Sequence, residues 1–214
     1  MRKILLSATL LLSLHGFSQV QTFVFAGLHG NNVKYIINGS KQNTSFKFGG
    51  QAGLGLKVAF EGRLSFVPLV FYSLKGYKVE FNQSSPYPDP AAINNETNIH
   101  CVELAALLQH DFTTDPNHFF LRVGPSLDFQ LIGNEEFQTN TGGTVDRDMK
   151  FDYGAYGHYS GNAHAHFGYE TANGFFIYAQ YTFGLASINN YDGGPEIRHR
   201  NVGLSAGFFF KRKK

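Results

Sequence analysis

His164 and His166 lie two residues apart in a segment where apolar and polar side chains alternate, Ala163-His164-Ala165-His166-Phe167. On an extended strand such residues share one face, with Cα atoms about 6–7 Å apart. Two imidazoles at that spacing share a transition metal once a neighbouring strand adds a third ligand. His158 and Ser160 fall on the same face, and a Ser beside a His is also the beginning of a hydrolase or acyltransferase. Across the following hairpin the residue expected opposite His166 is Gln180, and no carboxylate or cysteine is placed as the third ligand. The favoured reading is a hydrogen-bonded interior in which His158, His164 and His166 pack with Tyr178 and Gln180, with no metal, no cofactor and no catalytic residue.

A second set of polar residues sits on neighbouring segments. Pairing them about the turn Thr113–Asn117 sets Gln109 opposite Arg122 and Glu103 beside Asp128. Two carboxylates that close repel unless a cation or shared proton intervenes, and Arg122 or Lys57 is the expected neutraliser. Pairing about Glu61-Gly62 sets Gly55 opposite Leu69 and Gly53 opposite Phe71, so large side chains fill the space that glycines leave. Glu135-Glu136 and Asp146-Arg147-Asp148 have the ligand types for Ca²⁺ but read better as a solvated loop. No phosphate-binding loop, dinucleotide fingerprint, HExxH or EF-hand pattern occurs.

The elements that position these residues follow from composition. Of 214 residues 43% are hydrophobic, yet mean hydropathy is −0.20, so apolar and polar residues are interleaved rather than collected in spans. Gly (24), Phe (22) and Tyr (11) are abundant, and charged residues are only 16%. Disorder would need low hydrophobicity and high charge, and a coiled coil would be rich in Ala, Glu, Lys and Leu; an all-β chain fits instead.

Residues 1–18 read as a secretory signal peptide: Arg2-Lys3, an apolar run from Ile4 to Leu14, then small residues at Gly16 and Ser18 before a cut. The run is too short for a membrane helix of about 20 residues. Without Arg2 and Lys3 the 18 basic and 16 acidic residues become 16 and 16, and four of those positives are the tail Lys211-Arg212-Lys213-Lys214. No basic face for nucleic acid remains. The lone Cys101 excludes an intramolecular disulfide.

After the signal, period-two alternation recurs. Leu121, Val123, Pro125, Leu127, Phe129 and Leu131 form one face, against Arg122, Gly124, Ser126, Asp128 and Gln130 on the other. Eight strands are predicted, at 22–30, 46–60, 63–77, 98–112, 118–132, 150–170, 175–187 and 198–210. Short turns alternate with long polar connections at 31–45, 78–97, 133–149 and 188–197. That segregation by length predicts an eight-stranded antiparallel up-and-down transmembrane β-barrel, residues 19–214, in the outer membrane with both termini periplasmic. A soluble barrel built on the same strands would need a far more charged exterior. The polar interior is expected to hold Lys57, Glu103, Gln109, Arg122, Asp128, His158, His164, His166 and Gln180. Tyr72, Tyr77, Phe112, Phe119, Tyr153, Phe175 and Tyr181 are expected in the interfacial girdles.

The segments FVFAGLHGNNV, RLSFVPLVFYSLKGYK, VELAALLQHDF, FFLRVGPSLDF and FFIYAQYTFGL, in that order, resemble the PorT-like outer-membrane β-barrel family of Bacteroidota over nearly the whole mature chain. The resemblance implies an outer-membrane barrel of the class whose members include subunits of that phylum's protein-secretion machinery. From the residues, a plugged barrel with a structural or interaction role, contacting lipid and another envelope protein through four mobile loops, is the first expectation. A lipid-modifying enzyme using Ser160 with His158 or His164, and a metal or small-molecule carrier, are the other classes left open.

Overall fold

The computed structural model describes residues 20–210; the expected signal segment 1–18 and the tail 211–214 lie outside the described residues. The strands are β1 (Val20–Ile37), β2 (Ser40–Lys41), β3 (Asn43–Ser45), β4 (Lys47–Glu61), β5 (Leu64–Glu80), β6 (Asn94–Asp111), β7 (His118–Gln138), β8 (Thr144–Asp148), β9 (Tyr159–Glu170), β10 (Phe175–Gly184) and β11 (Glu196–Phe209). The eight long ones, β1, β4 to β7 and β9 to β11, pair antiparallel with their neighbours, and β11 returns to β1 from Phe23↔Phe209 to Ile36↔Glu196. Closure gives each of the eight long strands a partner on both sides, which hydrocarbon requires of any sheet that crosses it.

Alternation decides which side of each strand meets lipid. Leu28, Leu54, Val70, Leu104, Leu127, Ile177 and Leu204 are exposed on the outside, while His29, Gly53, Phe71, Glu103, Asp128, Tyr178 and Ser205 face the interior. The short connections are tight: Gly62 and Gly174 take positive φ in the β4–β5 and β9–β10 turns, where a side chain would be strained. Hairpin registers agree with the expectation: Gly55↔Leu69, Gly53↔Phe71, Gln109↔Arg122, Glu103↔Asp128 and Gln180↔His166 are all paired.

Three expectations are corrected. Strands run well into the predicted long connections, so β1 continues to Ile37 and turns at Asn38-Gly39, both at positive φ as a type I′ hairpin demands. The predicted strand 150–170 begins only at Tyr159. The far end of β7 is already occupied by β8, Asn134↔Asp148 to Gln138↔Thr144, so residues before Tyr159 have no edge to join; they fold over the barrel with Met149, Ala155 and Tyr156 buried. Tyr77 is interior rather than in a girdle, because it shares the inward parity of Lys75 and Val79, and Tyr153 sits exposed in the β8–β9 connection. Tyr72, Phe112, Phe119, Phe175 and Tyr181 do face outward.

The interior is filled in layers. Near the short turns lies an apolar layer including Phe23, Phe25, Leu69, Phe71, Phe120 and Phe176. Towards the long loops lies a second, including Val33, Tyr35, Tyr77, Ile99, Tyr156 and Ile197. Polar residues occupy the space between the two layers and the rim at the short-turn end.

Candidate functional site

The rim at the short-turn end is built by the last inward residues of β4, β6 and β9 and by β7. Lys57 Nζ lies 2.9 Å from Asp111 Oδ2 and 2.8 Å from Glu170 Oε2. Arg122, fully buried, donates from Nε to Gln109 Oε1 (2.5 Å), and Gln109 donates in turn to Glu170 Oε1 (2.8 Å). The guanidinium lies over the Phe120 ring at 4.3 Å, an arrangement that suits its planar, delocalised charge. Among the described residues Asp111, His118 and Glu170 bring one ligand atom each within 4.8 Å, the group best suited by type to a metal. The Lys57 ammonium already bridges the two carboxylates there, so the charge role is taken by the chain itself.

Between the apolar layers, Glu103 and Asp128 face each other on one rung of the β6–β7 pair. Neither Arg122 nor Lys57 neutralises them. Lys75 does, with Nζ 2.9 Å from Glu103 Oε2 and 2.7 Å from Asp128 Oδ2. The sequence carried the signal for it: Lys75 has the inward parity of Leu69 and Phe71, and the long side chain reaches diagonally down the barrel to the Glu103 rung.

His164 Nε2 meets Glu103 Oε1 at 2.5 Å and Ser126 Oγ at 2.9 Å, while its Nδ1 faces Thr182 Oγ1 at 3.2 Å. A Ser–His–acid triad needs the acid on one ring nitrogen and the serine on the other. Here both converge on Nε2, and Ser126 itself donates to Glu103. All three are buried. The arrangement is a buried hydrogen-bond network rather than a triad.

The remaining expected residues separate. His166 stacks on Tyr178, ring centroids 4.7 Å apart, and Gln180 leaves it to form a reciprocal amide pair with Gln51 at 2.8 and 2.9 Å, with Ser205 at 3.0 Å. His158 is not an interior residue: it precedes β9, is exposed, and lies against Phe151. Ser160 is buried and does not meet it. Sequence reasoning missed His29, Asn31, Gln51, His199 and Asn201 as interior polar residues; Asn31 lay beyond the predicted end of its strand, and the other four had inward parity on predicted strands, which was signal enough to find them.

The long connections are tied down rather than free. Arg147 donates from Nε to Glu135 Oε1 (2.7 Å) and from Nη2 to the Pro88 carbonyl (2.9 Å). The Tyr156 hydroxyl donates to Glu135 Oε2 (2.7 Å), and its ring meets Tyr87 edge-on at 4.8 Å. Tyr87 stacks on Tyr191 at 6.0 Å, and Asn190 N donates to Ala155 O (2.9 Å). Three connections, 81–93, 139–158 and 185–195, thus form one cap over the upper apolar layer. Burial pushes the Tyr156 phenol well above its ordinary value, with Tyr77 and Glu135 adding to the shift, and burial raises Tyr87 as well. Glu135 and Arg147 face each other across the β7–β8 ladder, so the acidic run there is an ion-paired hairpin.

A family model described as an outer membrane protein beta-barrel domain matches residues 16–190. Among solved structures the chain is similar to Ail, the attachment invasion locus protein of Yersinia pestis, with 13% identity over 89% of this chain and 99% of Ail and a TM-score of 0.47. Neisserial surface protein A is 13% identical over 89% of this chain and 97% of its own, with a TM-score of 0.45. OprG from Pseudomonas aeruginosa is 10% identical over 90% and 97%, with a TM-score of 0.45. No curated protein matches the chain.

Proposed function

The chain belongs to the outer membrane protein beta-barrel domain family, and from that premise we propose that it is a non-enzymatic barrel with both termini periplasmic, acting by presenting its loop cap to another envelope protein. The observation that carries this reading is the filled interior. Phe25 and Phe71 close the lower layer at 5.7 Å between centroids, Lys75 bridges two carboxylates above it, and the tyrosine cap lies over the top. Such an interior passes no solute, which leaves the outside of the cap to act. Tyr153, 94% exposed, and Ile93 and Tyr191, also exposed, are the apolar contacts it offers a partner.

The finer assignment, to PorT-like barrels of Bacteroidota and through them to a protein-secretion apparatus, rests on the five resembling segments alone. In that reading the partner is another secretion component. An enzyme reading would have to use Ser126 and His164, at 2.9 Å, and their shared contact with Glu103 at one nitrogen supports a structural role instead.

The test pairs two measurements on the full-length protein. In planar bilayers, no step-like conductance is expected; discrete open-channel steps would overturn the filled-lumen reading. In cells, a photoreactive residue at Tyr153 is expected to crosslink one envelope protein, and that product is expected to be lost when Ile93 and Tyr191 are charge-substituted in the same photoreactive background; an unchanged product would overturn the role of the cap's apolar contacts.

A further inference from the structure

Above the lipid-facing band, one sector of the outer surface is basic. Alternation along β1 puts Leu28, Gly30, Asn32 and Lys34 outward in succession, and β11 runs beside it with Gly30↔Val202, Asn32↔Arg200 and Lys34↔Arg198. The Asn38-Gly39 turn brings Lys41 back opposite Ile36 on the same edge. Four cations, Lys34, Lys41, Arg198 and Arg200, thus gather where the described residues of these two strand ends place one acid, Glu196, which pairs with two of them. Its Oε1 lies 2.9 Å from Arg198 Nε and 3.7 Å from Lys34 Nζ. Among the described residues Arg200 meets no carboxylate; it donates to the carbonyls of His199 (2.8 Å) and Gly184 (3.2 Å) and lies over the Phe183 ring at 3.7 Å. On the strands next round the ring, β4 to β8, the same height is neutral to acidic: Lys47 and Lys78 share Glu96 at 2.7 and 2.8 Å, beside Glu80, Glu136 and Asp146. The excess positive charge is therefore confined to the β1–β11 side.

That sector also holds a groove. A hollow of about 360 Å³ is lined by Lys34, Lys41, Arg200, Phe46, Tyr181 and Val202. It runs on through Phe46 and Val202 into an apolar hollow of about 290 Å³ bordered by Gly30, Phe48, the latter 91% exposed, and Lys47, whose ammonium is paired with Glu96. The groove is cationic at the end facing the loops and apolar at the end facing the lipid band. An occupant must therefore carry negative charge at one end and hydrocarbon at the other, and must lie upright against the barrel wall.

We propose that this groove binds the phosphorylated headgroup of an outer-leaflet glycolipid of the lipid A class, with an acyl chain along Phe48 and Val202. The inference rests on the topology proposed above, with the long loops outside. Arg200, its plane fixed by Phe183, offers the forked donors that suit a phosphate, and Lys34 and Lys41 add mobile charges around it.

The experiment uses the full-length folded barrel in detergent with three probes: bisphosphorylated lipid A, the same lipid dephosphorylated, and inorganic phosphate. Native mass spectrometry is expected to show the bisphosphorylated lipid retained about tenfold more tightly than the dephosphorylated form, the scale of losing a charge-assisted hydrogen bond. The Lys34→Gln/Lys41→Gln variant, which leaves the packed Arg200 in place, is expected to lose a similar factor, and Lys34→Gln/Arg200→Gln more. Unchanged heat-modifiable mobility on gels checks that both variants fold. Equal retention of the dephosphorylated lipid, unchanged binding in both variants, or inorganic phosphate competing as well as the lipid overturns the proposal. Labelling of Asp192→Cys in intact cells by a membrane-impermeant reagent tests the topology separately. Absent labelling overturns the topology and the outer-leaflet source even where binding in detergent is intact, whereas labelled loops without phosphate dependence overturn the lipid site alone.

Discussion

Glu103 and Asp128 stand opposite each other on one rung of the β6–β7 pair and share a single ammonium, that of Lys75, at 2.9 and 2.7 Å. Both carboxylates and the lysine are almost wholly buried, so neither acid has water to fall back on. Removing one partner from a buried ion group leaves the rest uncompensated, whereas removing all of it costs far less.

Lys75→Met is therefore expected to destabilise the barrel by about 3–5 kcal/mol. The triple variant Lys75→Met/Glu103→Gln/Asp128→Asn is expected to recover most of that loss. Urea-induced unfolding in lipid vesicles, followed by gel mobility, measures both. Equal stability of the single variant and the native chain would mean the carboxylates are neutralised by something else.

Gly53 faces Phe71 with no room between the two strands. A Cβ there would come within 2.3 Å of Phe71 Cβ and 2.4 Å of the Val70 carbonyl, and backbone does not give way as a side-chain tip does. Gly53→Ala is expected to cost about 1–3 kcal/mol by overpacking, and adding Phe71→Ala is expected not to restore it, because the carbonyl contact remains. Folding yield into vesicles is the readout.

Arg147 joins the β7–β8 hairpin to the 81–93 connection through Glu135 and the Pro88 carbonyl. Its side chain is 41% exposed, so Arg147→Ala is expected to cost on the order of 1 kcal/mol locally rather than globally. Protease added to intact proteoliposomes is expected to nick the 81–93 connection several-fold faster in the variant, with the barrel fragment still resistant.

The raised phenols of Tyr156 and Tyr87 give the cap a pH dependence. A phenol held neutral more strongly in the folded chain contributes stability that is complete below the ordinary value of about 10 and is lost as pH rises through the folded value. The cap is thus expected to be indifferent to pH from 7 to 9 and to loosen only in stronger alkali. Tyrosinate absorbance is expected to appear at higher pH in the native chain than in the Tyr156→Phe/Tyr87→Phe variant for two residues' worth of signal; identical titrations would show that these phenols are not held by the cap.

Alternation in the sequence determined which residues meet lipid and which meet the interior, and the short turns determined hairpin register as far as Gln109↔Arg122, Glu103↔Asp128 and Gln180↔His166. Those pairs are local: a two-to-six-residue turn leaves little freedom, and a slip by one residue would turn a whole apolar face away from lipid. What only the tertiary structure decided is everything that crosses the barrel. The register of β1 against β11, the reach of Lys75 to Asp128, and the partner that Gln180 finds in Gln51 depend on the stagger of the closed ring, which no single hairpin specifies. The cap was equally illegible, since β8 takes the edge that residues 150–158 would otherwise have joined, and it is that competition for one strand edge, not any local preference, that carries His158 out of the interior and Tyr156 into it.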